Sequence, residues 1–184
     1  PLTLAAKDPG RFPHLRHGPP ARILPTGKWE HPSGLVRWEL LKGDCRSFIE
    51  SAAIPDCIFY DPFSYKADSA LWTWEIFSRI FNRCVPKSAE LYTYSASTAV
   101  RGALLAAGFF VASGVGIGPK SDTTIGFASA QGAAGHPLAP RLLGREWLTR
   151  WRRSGAKFPA ALSSEEESHF EKLIESHQQF SNEP

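Results

Sequence analysis

Methionine is absent from all 184 residues, position 1 included. A translated gene begins with Met, so the expectation is a piece of a longer chain or a product trimmed at its N-terminus. Cysteine is scarce: Cys45, Cys57 and Cys84 are widely spaced and form no CxxC pair. That argues against a disulfide framework or a zinc site and leaves small buried thiols in a reducing compartment. No stretch reaches the roughly 18 apolar residues a membrane-spanning helix needs, and no basic-then-apolar leader opens the sequence. A cytoplasmic protein is expected. His14, His17 and His31 are not at metal-ligand spacing, so no metal is expected. Charge of one sign is not in large excess either; the formal net charge is +3, too mild to imply nucleic acid by itself.

What is present suffices for one domain with a core, since 42% of the residues are hydrophobic. Residues 1–34 are rich in Pro and Gly. The start reads as the end of an amphipathic helix, followed by a basic, loop-like stretch holding His14, Arg16, His17 and Arg22. Leu35–Leu41 reads as a strand and residues 45–53 as a short helix. Cys57–Tyr60 is a short apolar run that fits a strand buried on both faces. Asp68–Trp72 leads into a helix expected to run to about Cys84, with Trp72, Ile76, Ile80 and, one step off, Phe77 making its apolar face. Glu90–Tyr94 reads as a strand. Ser95 or Ser97 caps a helix that Gly108 ends. Strands follow at Phe109–Ala112 and Thr123–Ala128. Alternation of this kind predicts an α/β fold with a mainly parallel sheet, its last two strands forming an antiparallel pair. In such sheets ligands bind beyond the C-terminal ends of the parallel strands. Three of those ends are polar here: Gly43-Asp44, Tyr60-Asp61-Pro62-Phe63 and Thr93-Tyr94-Ser95.

Ile58-Phe59-Tyr60-Asp61-Pro62-Phe63-Ser64, followed by Leu71-Trp72-Thr73, resembles the acidic strand-end loop of the MnmC-type methyltransferase family. Leu91–Ala96 with Val100-Arg101, then Ala106-Ala107-Gly108-Phe109, is similar to that family's next strand and helix. Gly114–Lys120 is similar to its late Gly-rich turn, and Arg11–His17 also has the family's look. The resemblance covers roughly residues 1–128. It implies the C-terminal portion of a Rossmann-like class I methyltransferase sheet, with S-adenosyl-L-methionine as cofactor. It also implies an amino group of a modified tRNA base as acceptor, and hence tRNA as a partner. On this basis residues 1–128 form a partial methyltransferase domain lacking the first strands and the Gly-rich cofactor loop. Residues 129–184 add a basic segment and an acidic C-terminal helix.

By position, the resemblance places Asp44 at the adenine end of the cofactor. It puts Asp61, with Tyr60, near the methyl donor and the acceptor amine. Phe63, Trp72, Tyr94 and Lys120 then face the substrate, and Asp61 and Phe63 are the catalytic candidates. The residue types suit methyl transfer. An amine must attack as the free base, a carboxylate can orient it and take its proton, and an aromatic face attracts the positive charge. Plainer readings stand beside these. Asp61 before Pro62 can cap a turn, Asp44 can cap a helix, Phe63 and Trp72 can be core, and Tyr94 and Ser95 can be a strand end and a cap.

The tail carries Arg141, Arg145, Arg150, Arg152, Arg153 and Lys157 against Glu146. It reads as a solvated face or as a phosphate contact, with Trp147 and Trp151 available for stacking. A last helix begins with a capping box, Ser163 to Glu166, and its acids can pair with that basic face. The competing function is an inactive truncated methyltransferase fragment that binds RNA or protein. Strands missing from the sheet predict self-association, or a partner, through an exposed sheet edge.

Overall fold

A computed structural model describes residues 18–65, 67–116 and 122–181. The chain divides into two compact units between Phe48 and Ile49. The opening helix and the Arg11–His17 motif lie outside the described residues, as do Lys120 and most of the glycine turn.

In the first unit a helix α1 (Gly18–Thr26) precedes a hairpin of β1 (Lys28–Glu30) and β2 (Arg37–Glu39). Pro19 and Pro20 fall in the first turn of α1, where a missing N–H leaves no helix bond unmade. The strand expected over Leu35–Leu41 is therefore shorter than expected. It pairs antiparallel with β1, with Trp29 opposite Trp38. The helix expected over 45–53 is also not formed. Only the 3-10 turn Cys45–Ser47 appears, where Asp44 accepts from the Arg46 amide at 3.0 Å.

The second unit contains β3 (Cys57–Phe59), α2 (Trp74–Cys84), β4 (Glu90–Thr93), α3 (Thr98–Ala107), β5 (Phe110–Val115) and β6 (Asp122–Phe127). Three helices follow: α4 (Ala130–Gly135), α5 (Arg145–Arg152) and α6 (Ser164–Glu175). The sheet order is β3-β4-β6-β5. β3 and β4 run parallel, while β6 inserts antiparallel to both β4 and β5. The α/β class and the antiparallel last pair are as the alternation predicts, and the sheet is mixed.

Two expectations about burial fail. β3 is not buried on both faces: it is an edge strand, Ile58 is half-buried, and Phe59 is 80% exposed. β4 is its only strand neighbour among the described residues. The thiols also divide, because Cys84 lies in the core while Cys45 and Cys57 are exposed.

Helix boundaries follow local chemistry. Thr73 caps α2 by accepting from the Ile76 amide at 3.3 Å, so the helix starts after Trp72, which was expected on its apolar face. Ser163 and Glu166 form both hydrogen bonds of the expected capping box on α6. Gly108 ends α3 at φ 111°, its amide reaching back to Leu104 and Leu105. A Cβ there would stand 2.8 Å from the Phe81 ring. Strain and clash act together, so Gly108→Ala is expected to cost roughly 2–3 kcal/mol in urea unfolding. A midpoint matching the wild type would refute this account of the α3 stop. Gly114 is not in a turn: it lies in β5, where a Cβ would collide with the Thr123 hydroxyl that donates to the Val115 carbonyl at 2.9 Å.

The core joins both halves of this unit. Ile76, Phe77 and Ile80 of α2 pack with Leu91 of β4, Val100 and Leu104 of α3, and Trp147, Trp151, Phe170 and Ile174 of α5 and α6. Trp147 and Trp151 are thus core residues and are not available for stacking on bases. The acids of α6 pair as expected with the basic segment: Glu175 with Arg152 at 2.8 Å and Glu171 with Lys157 at 2.5 Å.

Candidate functional site at the ends of the parallel strands

β3 and β4 end side by side because the Tyr60 amide donates to the Tyr92 carbonyl at 2.8 Å, extending their ladder by one residue. The chain then leaves the sheet at Asp61. Asp61 Oδ1 accepts from the Tyr94 amide at 3.0 Å. This bond links the two strand ends across 33 residues and fixes the carboxylate. No hydrogen bond from the described residues is found at Oδ2. The Tyr94 hydroxyl donates back to the Pro62 carbonyl at 3.2 Å. Trp72 Nε1 donates to the Phe63 carbonyl at 2.8 Å, and the Tyr60 hydroxyl donates to the Leu71 carbonyl. The loop is therefore tied at three successive residues.

Behind it stands an aromatic wall. Tyr60 and Trp72 meet edge to face with centroids 5.4 Å apart, Trp72 and Tyr94 at 6.1 Å, and Tyr60 and Phe77 at 5.4 Å. Trp72 is fully buried, whereas Phe63 is 79% exposed. Beside the loop a cavity of about 280 Å³ is lined by Ser64, Tyr65, Trp72, Tyr94 and Ser95–Ser97. The structure therefore brings Tyr60, Asp61, Phe63, Trp72 and Tyr94 together. Asp44 belongs to the first unit, where its carboxylate meets Arg46 Nη2 at 2.5 Å and Nε at 2.8 Å.

A contribution that local sequence does not reveal comes from Arg101. It is 7% exposed and donates to Asp122 Oδ2 at 2.6 Å, the Thr123 carbonyl at 2.8 Å and Thr124 Oγ1 at 3.0 Å. Thr124 in turn donates to the Ser95 carbonyl at 2.6 Å. This chain of bonds holds the β4–α3 loop, one wall of the cavity, against β6. Its partners lie 21 to 29 residues apart, so no local pattern signals it.

The sequence pattern of a family described as S-adenosyl-L-methionine-dependent methyltransferase matches residues 18–129. The chain belongs to this family. Two curated relatives are 30% identical to it. One is an uncharacterized protein of Methanocaldococcus jannaschii, aligned over 99 residues, 53% of this chain and 28% of that protein. The other is the tRNA 5-methylaminomethyl-2-thiouridine biosynthesis bifunctional protein MnmC of Ralstonia nicotianae, aligned over 112 residues, 60% and 17% respectively. Among solved structures, MNMC2 from Aquifex aeolicus shares the fold with a TM-score of 0.59 and 24% identity, covering 84% of this chain and 47% of that one. The chain spans less than half the length of each of these three proteins.

The family's cofactor is S-adenosyl-L-methionine. The strand ends fit the methyl-accepting side of such a site, with an anchored carboxylate, an exposed ring and a cavity with hydroxyls. A glycine-rich loop leading from a parallel strand into a helix is not found among the described residues: β3 runs into Asp61-Pro62-Phe63 and β4 into Ser95-Ala96-Ser97. No helix among them is long and apolar enough to cross a membrane, and no cluster of metal-ligating side chains is found there.

Proposed function

We propose that this chain carries the acceptor side of an N-methyltransferase acting on an amino group of a modified tRNA base. The observation that carries the proposal is Asp61, whose carboxylate is held at the strand end by the Tyr94 amide through Oδ1, with no hydrogen bond to Oδ2 from the described residues. The curated relative named for tRNA 5-methylaminomethyl-2-thiouridine supports the acceptor class, since that name describes a base bearing a methylated amine.

When bound, S-adenosyl-L-methionine supplies a methyl group on a positively charged sulfur. Everything else falls to the protein. Asp61 Oδ2 accepts a hydrogen bond from the acceptor amine and so aims the nitrogen lone pair. As the nitrogen gains a carbon, its proton passes to that carboxylate and then to water. The exposed ring of Phe63 covers the charged centre and excludes solvent. The cavity beside Tyr94 receives the base, and the serine hydroxyls along its wall satisfy polar edges. Asp44 and Lys120 keep in this scheme the roles that the family resemblance implies for them, at the adenine end and at the acceptor.

The test is transfer of labelled methyl from S-adenosyl-L-methionine to tRNA, paired with calorimetric titration of the cofactor. Asp61→Asn retains an acceptor for the Tyr94 amide and loses the base. It is expected to lower kcat by about 10²–10⁴-fold with an unchanged unfolding curve. Equal turnover by the variant would sink the role of Asp61. Phe59, exposed on β3 at the end of the described strand order, favours a second reading: a chain that binds RNA or protein without turnover. No cofactor binding at millimolar concentration decides for that reading.

A further inference from the structure

Outside the matched family region, the arginines of α5 line a groove that leads toward the cavity at the strand ends. One lobe, about 580 Å³, lies among Ser113, Arg141, Arg145, Glu146 and Arg150. The second, about 430 Å³, lies among Thr98, Arg101, Asp122, Arg150 and Ser154. Ser113, Leu143, Trp147 and Arg150 border both, so the lobes are continuous. Thr98 on the second lobe directly follows Ser97 on the candidate acceptor cavity.

The charges of the groove are unequally satisfied. Arg101 is nearly buried and donates to Asp122, Thr123 and Thr124. Arg152, on the same helix, turns to Glu175. Arg150 is exposed and meets no carboxylate within ion-pair distance among the described residues. Arg141 Nη2 stands 4.0 Å from Asp122 Oδ1, a long ion pair with a carboxylate that Arg101 already holds at 2.6 Å. Glu146 is the one acid lining the first lobe among the described residues. Leu143 and Trp147 border both lobes but are each less than a tenth exposed, so the accessible groove surface is set mainly by its charged and polar side chains. Such a surface suits a chain of phosphates more than a protein segment or a stacked base.

We propose that this groove binds the phosphodiester backbone of the RNA acceptor, with Arg141 and Arg150 as phosphate ligands. Backbone contact along the groove fixes the register of the strand and delivers one nucleotide to the cavity beside Tyr94. The proposal rests on the RNA-acceptor reading above.

The test is fluorescence-detected binding of a tRNA transcript to the full chain across a salt series. The double variant Arg141→Ala/Arg150→Ala is compared with the wild type and with Lys87→Ala. Lys87 lies just before β4, at the opposite end of the strands, and pairs with Asp56. The double variant is expected to bind at least about tenfold more weakly at physiological salt, and its slope of log affinity against log salt is expected to fall by about 1.4–1.8. Cofactor affinity and the unfolding curve stay as in the wild type, and Lys87→Ala stays within about twofold. A double variant with the wild-type slope overturns the groove and leaves the RNA acceptor standing. Competition by polyglutamate as strong as by unlabelled RNA overturns the phosphate reading in favour of an acidic protein partner. A wild-type chain with no salt-dependent tRNA binding overturns the acceptor reading and the groove with it.

Discussion

Trp72→Ala is expected to destabilise the second unit by about 3–5 kcal/mol, lowering its thermal midpoint by roughly 10 °C. Trp72 is fully buried and touches the rings of Tyr60, Phe77 and Tyr94. Truncation removes the transfer free energy of an indole and leaves a void that three stiff rings cannot fill. It also strands the Phe63 carbonyl, which Trp72 Nε1 serves at 2.8 Å. Domains are stable by only about 5–15 kcal/mol, so the variant should stand near the unfolding threshold. Trp72→Phe separates the two contributions. It keeps most of the packing and loses the N–H, so it should cost about 1–3 kcal/mol. Its mark should be faster amide exchange at residues 61–65, the loop that the indole pins. A Trp72→Ala midpoint within a degree or two of the wild type would remove Trp72 as the pillar of this site.

That pillar shows where sequence sufficed and where it stopped. Leu71-Trp72 beside Asp-Pro-Phe was legible as a unit because strand end, acid and aromatic fall within 15 residues. The placement of Trp72 on the face of a helix was not correct, because the Thr73 cap delays α2 until after it. Caps and stops governed by neighbours, such as Ser163 with Glu166 and Gly108 after α3, could be read directly. Strand order could not. β6 lies between β4 and β5: its antiparallel pairing with β5 was expected, but the pairing that joins Glu90 to Phe127 was not, and no local pattern encodes it. The exposure of β3 was missed for a related reason. A three-residue apolar run looks alike in the centre of a sheet and at its edge, and only the neighbours decide. Burial of Trp147 and Trp151 was legible in principle, since Trp147, Leu148 and Trp151 repeat at helical spacing. The surrounding arginines drew the reading toward nucleic acid instead, and they remain on the outer face.

Arg101→Ala is the second variant expected to have a large effect, about 3 kcal/mol of lost stability, and it reaches the site without touching it. The guanidinium is nearly inaccessible and serves three acceptors on β6. Its removal takes the guanidinium from the Thr123 carbonyl and from Asp122, whose carboxylate keeps, among the described residues, only the long bond from the Ser113 hydroxyl to Oδ2 at 3.4 Å and Arg141 at 4.0 Å from Oδ1. Breaking a buried pair from one side costs about 3–5 kcal/mol, and the partial exposure of Asp122 places this case at the lower end. Thr124 also loses the group that orients its hydroxyl toward the Ser95 carbonyl. The wall of the acceptor cavity should loosen, raising KM more than it lowers kcat, because Asp61 keeps its own anchor on the Tyr94 amide. A double-mutant cycle identifies the cause. With Arg101→Met and Asp122→Asn combined, no uncompensated charge remains, so the pair should cost less than the sum of its single variants by about 1–3 kcal/mol in urea unfolding. Additive costs would mean that Arg101 acts by packing its stem alone. The Ser95 wall would then owe its position to the α3 helix, and KM should follow helix stability rather than the Arg101–Asp122 bond.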